Sequence, residues 1–168
     1  AVADQFIEGR PRSNVGVATV HAWARSLPQG GSILDLGCGS GVPISQVFID
    51  IGFAVHGVDA SPSMVAAFRS RFPNAQVVCE AVEESSLFDR TFDGAVAWGL
   101  MFLLPTEMQR DLIHRVAGVI RQGGRFLFTA PAQVCTWNDL LTGRTSLSLG
   151  AEAYKAILAD AELALARE

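Results

Sequence analysis

The chain has 168 residues, a formal net charge of −4 and a hydrophobic fraction of 49%. This length favours one domain with a sizeable core. Only 13 residues are Lys or Arg, and they form no cluster. The composition therefore argues against a nucleic-acid partner, which would need concentrated positive charge.

Membrane and metal sites are not indicated. The longest apolar run, residues 94–105, is too short to cross a bilayer and predicts a buried strand followed by a loop. No basic segment leads into an apolar one at the amino terminus, so we expect a cytoplasmic location. Cys38, Cys79 and Cys135 lack the spacing of metal ligands, and we expect reduced thiols and no metal site.

The first thirty residues are predicted to form an arm and a helix. Residues 1–12 are expected to be partly ordered, and they contain Arg10 and Arg12. Ser13 can cap a helix whose apolar residues continue to Leu27, and the Pro-Gln-Gly-Gly run that follows ends it.

The next segment joins an apolar strand, residues 32–36, to a turn in which Gly37, Gly39 and Gly41 alternate with small residues. Glycine can take positive φ and lets the backbone lie directly against a ligand. Asp35 is the one carboxylate of the strand, and its burial would be costly without a cation or several donors. A helix that begins after the turn would add unpaired N–H groups at the same place.

Strands and helices then alternate. A second strand over 54–58 leads to Asp59, and Ser61 can cap the helix that follows. Thr106 and Gln109 have the spacing of a capping box. This alternation predicts an α/β fold: a doubly wound, mostly parallel sheet of five or more strands with helices on both faces. The other strands are predicted over 75–79, 92–98 and 125–129, and the main helices over 44–51, 62–72 and 106–120.

The carboxyl-terminal segment, residues 147–168, is rich in Ala and aliphatic residues at spacings compatible with one helix. Only residues 163–167 could form a strand instead.

The sequence Leu-Asp-Leu-Gly-Cys-Gly-Ser-Gly over 34–41, with Asp59 at the end of the next strand, resembles the motifs of class I S-adenosylmethionine-dependent methyltransferases. The resemblance covers about residues 31–131, and the whole chain more loosely. It implies a Rossmann-like methyltransferase fold whose final antiparallel strand pair is truncated. The single domain over 1–168 would comprise an arm and helix (1–30), a cofactor-binding core (31–131) and a substrate-side segment with a helix (132–168).

The resemblance implies that S-adenosyl-L-methionine binds where the strand order reverses. Asp35 would favour its ammonium group, directly or through water, and Asp59 would accept hydrogen bonds from both ribose hydroxyls. Ala60 and Met64 would pack on the adenine. The predicted cofactor-binding residues are Asp35, Gly37, Cys38, Gly39, Asp59, Ala60, Met64, Val82, Glu83 and Trp98, with Val82 and Glu83 at the adenine edge and Trp98 at the methyl-donor end.

The implied reaction is methyl transfer to a small, partly apolar acceptor, leaving S-adenosyl-L-homocysteine. Because the sulfonium already activates the methyl group, holding the nucleophile in line is sufficient and a general base is not required. If a base acts, residues 136–144 and Tyr154 contain the candidates. Arg10 or Arg12 could meet the methionine carboxylate. The Trp98-Gly99-Leu100-Met101 sequence lacks the Pro-Pro-aromatic motif of the members that methylate nucleobases or glutamine, which disfavours those acceptors.

Two alternatives stay open. A nicotinamide dinucleotide enzyme would place its ribose-binding acid near Asp59, but its fingerprint needs a third glycine where this chain has Val42. Asp35 would also lie unfavourably near the pyrophosphate. The other alternative is a non-catalytic module that binds S-adenosylmethionine.

Overall fold

The computed structural model describes residues 14–140 and 142–166. The predictions for Arg10, Arg12 and the Ser13 cap lie outside them. In chain order the elements are α1 (Val17–Ala24), β1 (Ser32–Leu36), α2 (Ile44–Asp50), β2 (Ala54–Asp59), α3 (Pro62–Arg71), β3 (Gln76–Cys79), β4 (Phe92–Ala97), α4 (Thr106–Val119), β5 (Ile120–Phe128), β6 (Val134–Asn138), β7 (Thr145–Leu149) and α5 (Ala151–Asp160), with short 3₁₀ turns at Leu87–Asp89 and Met101–Leu103. None of the helices found in these two ranges could span a membrane.

The main sheet has five strands in the order β3-β2-β1-β4-β5, and every pair is parallel. The predicted doubly wound fold is confirmed. The strand order reverses between β1 and β4, so their connections leave on opposite faces and a crevice opens beyond their carboxyl ends. The predicted cofactor residues follow β1, β2, β3 and β4, which brings them to that edge.

The sheet separates two apolar layers, because successive side chains of a strand point to opposite faces. Ile33 of β1 packs in the layer that contains Phe48 of α2 and Phe68 of α3. Leu34 belongs to the other layer, with Leu112 of α4 and further residues of α5. Each layer is sealed by helices, so the continuously apolar strands predicted from the sequence are buried on both sides.

The carboxyl-terminal prediction was wrong in two respects. Residues 147–149 belong to β7, which pairs antiparallel with β6, and the helix that follows is limited to Ala151–Asp160. An antiparallel pair is therefore present in this half of the chain, placed before the last helix rather than after it. Residues 163–166 form no strand. Burial alternates along β7, so that Ser146 and Ser148 face inward. The helix prediction relied on the spacing of apolar residues and did not anticipate that serines would be the buried ones.

The predicted capping box is also wrong. The cap position of α4 is Pro105, and no side chain caps the helix there. Gln109 is fully buried, and its Nε2 donates instead to the carbonyl of Leu104 at 2.8 Å and to that of Leu147 at 3.3 Å. The amide thus connects α4 to the loop before it and to β7.

His56 is a buried histidine in the middle of β2, with a relative exposure of 3%. Its Nε2 accepts a hydrogen bond from Nη1 of Arg90 at 2.9 Å, since a guanidinium can only donate. The rings of Phe88 and Phe92 pack edge-on at centroid distances of 5.1 and 5.3 Å. Burial and then the Arg90 charge lower the pKa of His56, so the imidazole is held neutral.

This environment predicts an acid-sensitive fold. The unfolded chain takes up a proton at this histidine near pH 6.5, whereas the folded chain does so only at lower pH. Stability is therefore complete above pH 6.5 and is lost as the pH falls from there through the lowered pKa. We expect the urea midpoint of His56→Gln to decrease less between pH 7.5 and 5.5 than that of the unsubstituted chain. Equal pH dependence of the two midpoints would contradict this account, because the other histidines are common to both.

Candidate functional site

A cavity of about 470 Å³ lies beyond the carboxyl ends of the strands, at the reversal of strand order. One wall comes from the segments after β1, β2 and β3, and the other from the segment after β4 and from the β6–β7 hairpin. The lining residues are Gly37, Gly39, Asp59, Ala60, Ser61, Met64, Ala81, Val82, Glu83, Gly99, Leu100, Leu103, Leu104, Thr142 and Arg144. Seven of the ten predicted cofactor-binding residues belong to this set.

The glycine turn is fastened to β2 by its own backbone. The N–H groups of Gly37 and Cys38 both donate to the carbonyl of Val58, at 2.8 and 3.1 Å. Gly37 has a φ of 69°, and a Cβ there would lie 3.1 Å from the Leu100 side chain. Position 37 therefore needs glycine both for its conformation and for the approach of the segment after β4.

The carboxylate of Asp59 connects the glycine turn to helix α3. Its Oδ2 accepts from the Gly39 N–H at 2.8 Å, and its Oδ1 accepts from the Ser61 N–H at 2.9 Å. The Ser61 hydroxyl then caps α3 by accepting from the Met64 N–H. Each carboxylate oxygen retains acceptor capacity, so Asp59 can receive further donors from the cavity in a fixed orientation.

Three predicted residues lie outside the lining. Asp35 is 2% exposed, shares a face of β1 with Ile33 and accepts a hydrogen bond from the hydroxyl of Ser45 on α2. Cys38 is buried, and burial followed by the charges of Asp35 and Asp59 raises the pKa of its thiol. It therefore remains protonated and unreactive.

Trp98, the third of these residues, packs against Gly16 at the start of α1. A Cβ at position 16 would clash with the indole ring. Trp98 thus supports the start of α1 and contributes to the apolar layer that contains Ile33.

The loop after β3 is held by a residue that sequence reasoning missed. Val82 is buried and Glu83 exposed where they border the cavity. The Arg115 guanidinium on α4 donates to the Val82 carbonyl at 2.6 Å and also to the Ser85 carbonyl. The sequence contains one signal for this role. Arg115 lies three residues after the buried Leu112 on α4, at the edge of the apolar face, where a guanidinium can reach a backbone carbonyl of the neighbouring loop.

The opposite wall is apolar near β4 and polar at the hairpin. Leu100, Leu103 and Leu104 supply the apolar part. Thr142 and Arg144, from the segment predicted to contain a base, supply the polar part.

Tyr154, the other candidate base, is buried away from the cavity and donates to Oε1 of Gln109 at 2.6 Å. Its oxygen also accepts from the Leu149 N–H at 3.4 Å. Gln109 and Tyr154 thus form a network that holds β7, and so the hairpin, against α4. The only signal for it in the sequence is the apolar character of the helices that contain these two polar residues.

No cluster of His, Cys, Asp or Glu that could hold a metal ion occurs within residues 14–140 and 142–166. The chemistry available at the cavity is recognition by fixed carboxylates, backbone groups and one guanidinium beside an apolar surface.

A model of the family described as "methyltransferase domain" matches residues 33–124, more than half of the chain. The chain belongs to this methyltransferase domain family. The matched region contains the glycine turn, Asp59, the loop after β3 and the leucines after β4. The family resemblance predicted from the sequence is confirmed, and membership does not support the dinucleotide-enzyme alternative.

Known relatives of this methyltransferase domain include an uncharacterized methyltransferase of Schizosaccharomyces pombe, 33% identical over 109 residues, which are 61% of this chain and 40% of the relative. The putative methyltransferase YqeM of Bacillus subtilis is 36% identical over 108 residues, 61% of this chain and 43% of the relative. The matches thus span less than half the length of either relative.

Solved structures share the fold. The 1,6-didemethyltoxoflavin-N1-methyltransferase of Burkholderia thailandensis, with bound 1,6-didemethyltoxoflavin and S-adenosylhomocysteine, superposes with a TM-score of 0.74 at 20% sequence identity. The superposition covers 94% of this chain and 72% of the other. The Rossmann-like methyltransferase fold predicted from the sequence is confirmed at this level.

We expect Tyr154→Phe to loosen the hairpin of the methyltransferase domain. The substitution leaves the buried Oε1 of Gln109 without its donor, which should lower the free energy of unfolding by about 1–3 kcal/mol. Urea unfolding measures the loss, and amide exchange in β7 should quicken selectively. Lys155→Gln, at the exposed neighbouring position, is the control and should change stability by less than about 0.5 kcal/mol. A Tyr154→Phe variant as stable as this control would refute the network.

Proposed function

We propose that this chain catalyses S-adenosyl-L-methionine-dependent methyl transfer to a small-molecule acceptor. The observation that carries the proposal is the Asp59 carboxylate, held at the cavity by the Gly39 and Ser61 amides. A fixed carboxylate with spare acceptor capacity suits the two neighbouring hydroxyls of a ribose. Membership of the methyltransferase domain family supports this choice of nucleoside.

The adenine would lie between α3 and the loop after β3. Met64 and Ala60 offer a soft apolar surface to one side of the base, and Val82 offers one to the other. The backbone of Val82 is held in place by Arg115, so its N–H can read the adenine edge. Glu83 is exposed at the same border and can accept from the adenine amino group.

The amino-acid part would lie along the glycine turn. Gly39 lets the ligand approach the backbone, and Asp35 adds negative charge from the layer behind the turn, which favours the ammonium group. When bound, the cofactor supplies a methyl group already activated by the positive sulfonium.

The protein's contribution to transfer would be positioning. The leucines after β4 exclude water from the acceptor side, and this wall holds the acceptor nucleophile in line with the methyl group. Among the described lining residues there is no His, Cys, Lys or Tyr. An acceptor that is already a good nucleophile therefore suits the site, and its proton can leave to water.

The comparisons support a small acceptor. The Burkholderia thailandensis enzyme that shares this fold binds 1,6-didemethyltoxoflavin together with S-adenosylhomocysteine. The cavity of about 470 Å³ has room for a cofactor and leaves the hairpin side for a small molecule.

Replacing Asp59 tests the ribose contact. Asp59→Asn should weaken S-adenosylhomocysteine binding by at least about tenfold, because a charge-assisted hydrogen bond contributes about 1.5–3 kcal/mol. Isothermal titration calorimetry measures the change. Asp50→Asn, at an exposed position on α2, is the matched control and should bind normally. Unchanged affinity in Asp59→Asn would remove the ribose role.

Substitution at Gly39 tests the approach of the ligand to the backbone. Gly39 has a φ of 55°, so Val is both strained there and bulky at the cavity. Gly39→Val should abolish binding and keep the far-ultraviolet dichroism of the fold. Gly30→Val carries comparable strain at a φ of 72°, where a Cβ meets nothing within 4 Å, and should still bind. Loss of binding in both variants would show strain rather than ligand approach.

Turnover separates an enzyme from a binding module. The chain incubated with S-adenosylmethionine and a mixture of small amines, phenols and carboxylates should release S-adenosylhomocysteine faster than without acceptors. Tight cofactor binding with no acceptor-dependent release would favour the non-catalytic alternative.

A further inference from the structure

We propose that Arg144 reads an anionic group, a carboxylate or a phosphate, on the methyl acceptor. The inference rests on the proposed function and defines its substrate class: a small molecule with an apolar body and one anionic substituent. Three features of the cavity and hairpin carry it.

The first feature is the distribution of charge around the cavity. Its two acids, Asp59 and Glu83, lie on the wall assigned to ribose and adenine. Arg144 is the one cation among the described lining residues, and it comes from the loop of the β6–β7 hairpin. Its guanidinium makes no hydrogen bond or ion pair within the described part of the chain, although its backbone is fully engaged. A guanidinium that borders a cavity and has no partner among the described residues can receive an anionic ligand.

The second feature is the hydrogen bonding of the hairpin tip, which is the segment between β6 and β7 and includes Asp139, Thr142, Gly143 and Arg144. The Asp139 N–H donates to the Arg144 carbonyl, and the Gly143 N–H donates to the Asp139 carbonyl, both at 2.8 Å. Asp139 Oδ1 accepts from the Thr142 N–H at 2.7 Å and from its hydroxyl at 2.8 Å. The Thr142 oxygen in turn accepts from the Arg144 N–H at 3.3 Å. These hydrogen bonds hold the described residues on both sides of Gly143 to one another, and a backbone held in this way reduces the entropy cost of recognition.

The third feature is the position of the tip on the acceptor side. Trp137 of β6 packs against Phe102 in the 3₁₀ turn after β4, with ring centroids 5.4 Å apart. Leu100 and Leu103, before and within this turn, line the cavity. The hairpin that carries Arg144 therefore lies beside the turn whose leucines line the same cavity. An apolar surface beside a guanidinium fits a ligand with an apolar body and an anionic end.

Arg144 is exposed, so the strength of its contact with an anion depends on what covers it. An ion pair on an open surface contributes little, because water screens it and the side chains lose entropy. When the cofactor and the acceptor body cover Leu100 and Leu103, water is displaced and the attraction between guanidinium and anion increases. Two parallel N–H···O bonds would also orient the acceptor, which is the requirement for in-line transfer.

The test uses the S-adenosylhomocysteine complex and two matched pairs of probes, benzoate with benzamide and phenyl phosphate with phenol. Calorimetry should show that the complex of the unsubstituted chain binds at least one anion roughly tenfold or more tightly than its neutral partner. Arg144→Gln should remove that preference, and Arg144→Lys should retain part of it. Arg110→Gln, at an exposed position on α4, is the control and should retain it fully. The two pairs distinguish a carboxylate from a phosphate reader.

Other outcomes overturn the inference. No preference for either anion, or a preference that survives in Arg144→Gln, shows that Arg144 does not read the acceptor. If Arg144→Gln weakens S-adenosylhomocysteine but not 5′-methylthioadenosine, which lacks the amino-acid part, Arg144 holds the cofactor's own carboxylate instead. A chain that binds neither nucleoside would refute the proposed function, a result recognisable before any acceptor probe is added.

Discussion

The site depends on one carboxylate that bridges two segments of backbone. Asp59 accepts from Gly39 on the turn after β1 and from Ser61 at the start of α3. Without it, the turn and the helix would each present an unpaired N–H group to the cavity, and such a group is costly when it is shielded from water. The parallel pairing of β1 with β2 brings these segments together, and Asp59 converts their proximity into a defined geometry. The ribose role proposed for Asp59 relies on this fixed orientation.

The opposite wall is positioned by a different device, a buried polar network in an apolar layer. Gln109 and Tyr154 lie among aliphatic residues, and their hydrogen bonds connect α4, the Leu104 carbonyl, β7 and α5. Hydrophobic packing alone is non-directional and would tolerate several placements of a two-stranded hairpin. Buried polar groups accept only the placement that satisfies them, so the network specifies where the hairpin tip lies relative to the leucines of the cavity.

The fold could be predicted because its signals are local. Strand periods, glycine turns and strand-end acids are read within a few residues, and the alternation of units determines a parallel sheet. The errors arose where contacts between residues that are distant in the sequence determine the local structure. Thr106 and Gln109 have capping spacing, but the buried Gln109 amide donates to the carbonyls of Leu104 and Leu147, and the second of these lies on β7, far away in the sequence. Residues 145–149 contain two inward-facing serines, of which Ser148 donates to the carbonyl of Pro131, and their strand needs β6 as its partner. Arg115 was missed as a site residue for the same reason, since the carbonyls to which it donates are remote in sequence.

The two acids that made the sequence recognisable illustrate this limit most sharply. Asp35 is the second-last residue of β1, and Asp59 is the last residue of β2. The sequence pattern alone therefore predicts the same role, contact with a ligand, for both. The alternation of side chains along a strand separates their environments. Asp35 points with Ile33 into the layer of α2, where Ser45 donates to it. Asp59, at the last position of β2, faces the glycine turn. A buried acid can act on a ligand only through its field, whereas a half-exposed one can also form directed bonds. The Asp35 carboxylate can thus act on a ligand through its charge, whereas the Asp59 carboxylate can also form hydrogen bonds in a fixed direction.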